Sequence, residues 1–62
     1  MNDIERSYDG VTWEQVSEDE AVRKLSGYYI DPKLMIDTMR KAPDKIQAST
    51  CGAVYRIKQA AR

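Results

Sequence analysis

Apolar and polar positions change rhythm three times along this chain, and each change marks an element. The first stretch is organised about Asp9-Gly10, a pair suited to a two-residue hairpin turn, with Ile4–Tyr8 before it and Val11–Val16 after it. A turn closed there sets Tyr8 against Val11, Arg6 against Trp13 and Glu5 against Glu14. The last pairing puts like charges face to face. The second strand is therefore the firmer expectation, and residues 1–6 are expected to fray.

The period then lengthens to that of a helix. Ala21, Val22 and Leu25 share one stripe behind Ser17-Glu18-Asp19-Glu20. Ser17 is placed to cap the free amides and Glu20 to return the bond, while the three carboxylates suit the positive end of the helix dipole. Gly27 is expected to stop this helix in the left-handed conformation. A second helix opens at Asp31-Pro32, with Asp31 as cap, and runs to Lys41 ahead of Pro43. Leu34, Met35, Ile36 and Met39 make its apolar face, and Lys33, Asp37, Arg40 and Lys41 its polar one. Between the helices, Tyr28-Tyr29-Ile30 is apolar enough to plug the core.

Alternation returns at the C-terminal end. A two-residue turn at Cys51-Gly52 pairs Ser49 with Val54 and Ala48 with Tyr55, and continues outward to Lys45 with Lys58. One face then reads Ile46, Ala48, Tyr55 and Ile57, the other Lys45, Gln47, Arg56 and Lys58. A three-residue loop would mix the two sets. A type I′ turn there would favour Asn at position 51. The pattern predicts an α+β fold, strand–helix–turn–helix–β-hairpin, as one domain over residues 1–62. Its predicted core holds Trp13, Leu25, Met35, Met39, Tyr55 and Ile57.

Size and composition narrow the chemistry. A 62-residue domain buries only ~60% of its unfolded surface, so its stability is modest. With one cysteine and no histidine, neither a disulfide nor an ordinary zinc site forms within one copy, and no cofactor is expected. No apolar run approaches the ~20 residues of a membrane span. The N-terminal residues do not resemble a signal peptide. A soluble, cytoplasmic chain is the expectation. Nucleophile–base pairs are missing, and Gly10, Gly27 and Gly52 fall in unrelated turns. Binding is expected rather than catalysis.

Net charge is zero but unevenly spread. Residues 1–31 carry eight acids against Arg6, Arg23 and Lys24, whereas residues 32–62 carry seven bases against Asp37 and Asp44. Such asymmetry fits either a nucleic-acid-facing half or two halves that attract each other across the fold.

The order of elements, with Thr12-Trp13 ahead of Val16-Ser17-Glu18, Leu25-Ser26-Gly27 and Gly52-Ala53-Val54-Tyr55-Arg56-Ile57, resembles the excisionase-type winged-helix proteins of phages and mobile elements. The resemblance covers residues 11–58. It implies a small DNA-binding regulatory or accessory protein whose second helix enters the major groove while the hairpin acts as a wing. Lys33, Arg40, Lys41, Lys45, Arg56 and Lys58 are then the residues that meet duplex DNA. Replacing Arg40 and Arg56 together is expected to leave the fold intact, since both lie on predicted polar faces. The chain departs from that family in its zero net charge, in Asp37 on the reading face, and in its longer inter-helix turn.

The alternative is a small phage-encoded inhibitor that binds a host protein, such as a defence or transcription factor, without touching nucleic acid. Tyr28, Tyr29 and Tyr55, where exposed, would be its interface anchors. A homodimer or an assembly of adjacent copies fits either reading.

Overall fold

The computed structural model describes residues 3–58. Two strands come first, β1 (Ile4–Ser7) and β2 (Glu14–Val16). Two helices follow, α1 (Glu18–Leu25) and α2 (Pro32–Lys41). The chain closes with β3 (Ala48–Ser49) and β4 (Val54–Ile57). The four strands form one antiparallel sheet in the order β2-β1-β4-β3.

The helices start as their sequences dictate. The Ser17 hydroxyl accepts from the Glu20 amide at 3.2 Å, and the Asp31 carboxylate accepts from the Leu34 amide at 3.1 Å ahead of Pro32. Glu20's own carboxylate turns to Arg6 on β1, 2.8 Å away. The first helix ends at Ser26 in right-handed geometry, and Gly10 is the only described residue at positive φ. Gly27 is thus no left-handed stop.

The N-terminal hairpin corrects the expected register by one residue. Arg6 lies opposite Glu14, Glu5 opposite Gln15, and Ile4 opposite Val16. Its connection is a six-residue loop rather than a two-residue turn. The Asp9 carboxylate organises it, accepting from the amides of Val11 at 2.8 Å and Thr12 at 2.7 Å, with Gly10 at φ 80°. This register removes the Glu5–Glu14 clash and sets Arg6 against Glu14. Residues 4–6 do not fray: β1 is a central strand, paired on both sides, and Ile4 is fully buried.

The C-terminal hairpin keeps its expected register, Ala48 opposite Tyr55 and Ser49 opposite Val54. It is shorter than expected, because the chain at Ala42–Ile46 turns on itself, with the Lys45 and Ile46 amides both donating to the Ala42 carbonyl. Beyond β3, β4 takes β1 as its partner, from Ser7 opposite Val54 to Ile4 opposite Ile57. The Cys51-Gly52 turn has no positive φ, so it is not type I′. The Thr50 hydroxyl holds it, accepting from the Ala53 amide at 2.9 Å.

One sheet face packs under the helices. Ile4, Val16, Ala48, Tyr55 and Ile57 from the strands meet Ala21, Leu25, Ile36 and Met39 from the helices. Trp13 and Met35, expected in this core, are only half-buried. Trp13 instead stacks with the Arg56 guanidinium, 3.8 Å from the ring centre. No helix among the described residues is long and apolar enough to cross a membrane.

Candidate functional site

The six cations expected to meet DNA divide into two kinds. Arg40 is partly exposed but tied into the fold, its guanidinium 2.9 Å from Asp3 ahead of β1 and 2.8 Å from Glu18 at the start of α1. These bonds hold the Asp3 and Glu18 carboxyls below their usual range and the guanidinium above its own. Arg56 is 2.9 Å from Glu5 on the neighbouring strand, with Trp13 against its flat side. Both arginines join the basic half of the chain to the acidic half. Lys33, Lys41, Lys45 and Lys58 are exposed.

Arg6 forms a second ionic centre inside the N-terminal half. It bonds to Glu14 across the hairpin and to Glu20 on α1, and its guanidinium lies 5.2 Å from the Tyr8 ring centre. The Glu14 bond is the main cause that raises its pKa. Acidic residues read as a helix start thus also serve as counter-ions.

The three tyrosines offered as anchors part company. Tyr55 is buried at 2% exposure and belongs to the core. Tyr29 is half-buried, and its hydroxyl accepts from the Ser49 amide at 3.0 Å while donating to the Ser49 carbonyl at 3.2 Å. Tyr28 is exposed. The inter-helix connection therefore does not plug the core with all three of its apolar residues, since only Tyr29 packs against it.

One of the exposed apolar surfaces is a corner beside this connection, apart from Tyr8 and Val11 on the N-terminal loop. Ile30 is completely exposed and Leu34 is 60% exposed. Both line a shallow groove of about 410 Å³ with Tyr29, Asp31, Met35 and Thr38. Ile30 holds the position before an N-cap, where an apolar residue commonly packs against the fourth helical residue, here Met35. In this chain it stands in solvent. The pattern around Asp31-Pro32 points inward for Ile30, and nothing in the periodicity sets Leu34 apart from Ile36, so both surface positions escape a reading of the sequence. A second groove, of about 470 Å³, lies on the opposite side of the sheet, lined by Glu5, Asp44, Gln47, Arg56 and Lys58.

No family model, curated protein or solved structure matches this chain. Among the described residues no cluster of three or more His, Cys, Asp or Glu side chains is placed to hold a metal ion, and Cys51 is exposed on its turn.

Proposed function

We propose that this chain is a small, non-catalytic protein-binding domain that works through its α1–α2 corner. The carrying observation is the exposure of Ile30 and Leu34 beside Tyr29 and Met35. Large apolar side chains that stand together in water mark a contact surface more often than isolated ones do. A helix-bordered apolar groove accepts an apolar face of another protein.

The test uses the wild-type chain and an Ile30→Asp, Leu34→Asp variant as baits. Both positions are exposed, so the variant keeps its fold, which circular dichroism checks. A partner captured stoichiometrically by wild type, rebuilt into a complex from purified proteins and lost with the variant supports the reading. A rebuilt complex that the variant holds equally well contradicts it.

DNA binding is the second reading, favoured by four exposed lysines, Lys33, Lys41, Lys45 and Lys58. In it the helix–turn–helix order and the C-terminal hairpin serve as in excisionase-type winged-helix proteins. It loses weight because Arg40 and Arg56 already have carboxylate partners. Duplex affinity in this reading rests on the lysines alone and falls steeply with salt.

A further inference from the structure

The outer face of α2 carries Leu34, Thr38 and Lys41 behind its N-cap Asp31, all exposed, at spacings of three, four and three residues, with the exposed Asp37 flanking them beside Arg40. That is the spacing of a helix–helix seam. We propose that the occupant of this corner is a second copy of the chain, its α2 laid antiparallel against the first. The proposal rests on the protein-binding reading and names its partner.

The order of charges along the seam carries the argument. A two-fold axis at the level of Ile36 sets Asp31 of one copy beside Lys41 of the other, and Leu34 beside Thr38, twice over. Thr38 donates its hydroxyl to the Leu34 carbonyl at 2.8 Å, so that donor is already satisfied within its own helix. The Asp31 carboxylate accepts from the Leu34 amide through one oxygen. Lys41 makes no ion pair among the described residues. The parallel arrangement would set Asp31 on Asp31 and Lys41 on Lys41, and like charges reject it. The antiparallel one also sets opposite helix dipoles side by side.

Other features favour like meeting like. Net charge is zero, so two copies meet without long-range repulsion. The sheet edge at β3 does not compete, because the Tyr29 hydroxyl already bonds both outward backbone groups of Ser49. The seam with Ile30, Tyr29 and Met35 is small beside the roughly 800 Å² per partner of a standard interface. The dimer is accordingly weak and reversible, forming in the micromolar to submillimolar range.

Sedimentation velocity from low micromolar to near-millimolar protein tests this. Wild type is expected to pass from monomer to dimer across that range. Leu34→Asp is expected to remain monomeric. Lys41→Asp, which sets acid against Asp31, is expected to weaken the dimer at least tenfold, while Lys41→Arg retains it. Wild type that stays monomeric throughout overturns the second copy as occupant, and leaves the corner to be judged by the bait experiment. A dimer that survives Leu34→Asp places self-association on another surface and also overturns the proposal.

Discussion

The Tyr29 hydroxyl stands where a fifth strand would begin, bonded to both the amide and the carbonyl of Ser49 on the edge strand β3. One phenol thus serves two backbone groups that an edge strand would otherwise present to another chain. The same contact ties the inter-helix connection to the sheet and sets the corner from which Ile30 projects.

Tyr29→Phe keeps the ring and removes this bridge. The expected loss is about 0.5–1.5 kcal/mol, the net worth of an ordinary hydrogen bond. Chemical denaturation measures it. Hydrogen exchange is expected to quicken at the Ser49 amide well before the central strand β1 responds.

The glycines are expected to separate by backbone geometry. At Gly27 and Gly52 an added Cβ meets nothing within 4 Å and φ lies outside the left-handed region, so alanine is accommodated. Gly27→Ala and Gly52→Ala should stabilise the chain by about 0.4–1 kcal/mol, through the unfolded state. Gly10→Ala, at φ 80°, should destabilise it by about 1 kcal/mol or more. Thermal melts of the three variants give the comparison.

Acid is the condition to which this fold responds. Arg40 holds the Asp3 and Glu18 carboxyls down, and the Thr12 and Val11 amides hold Asp9 down to about 2. A carboxyl with a depressed folded pKa contributes stability that is fully present above its unfolded value, about 4. That contribution is lost as pH falls through the folded value. Denaturation midpoints should be flat between about pH 5 and 8, where no histidine titrates, and should fall from about pH 4 toward pH 2. Arg40→Met should shrink the acid-dependent loss. An equal loss in the variant would assign it to other carboxyls.

Much of the fold was legible because it depends on local chemistry. Ser17 and Asp31 cap their helices, Pro32 opens α2, and the separation of Ala48 and Tyr55 from Ser49 and Val54 sets the second hairpin's register. What the sequence does not reveal is decided by distant residues. Nothing near Asp9 reports that β4 takes β1 as a partner, which makes Ile4 a core residue and sets Glu5 beside Arg56. Arg40 reads as a surface cation on its own helix, yet its two hydrogen-bonded carboxylate partners lie 37 and 22 residues away. The corner was illegible for a related reason. Ile30 and Leu34 have the chemistry of core residues, and only the packed positions of Ile36, Met39 and Tyr29 leave them outside.

Arg40 and Arg56 hold the chain's acidic half to its basic half. The most direct measurement is the thermal midpoint of the Arg40→Ala, Arg56→Ala double variant, read beside its affinity for random duplex at low salt. Losing two partly exposed charge networks should remove about 1–2 kcal/mol, which for a domain this small lowers the midpoint by roughly 5–15 °C. Duplex binding should be negligible in wild type and variant alike. An unchanged midpoint, together with salt-sensitive duplex binding in wild type that the variant loses, would contradict the account.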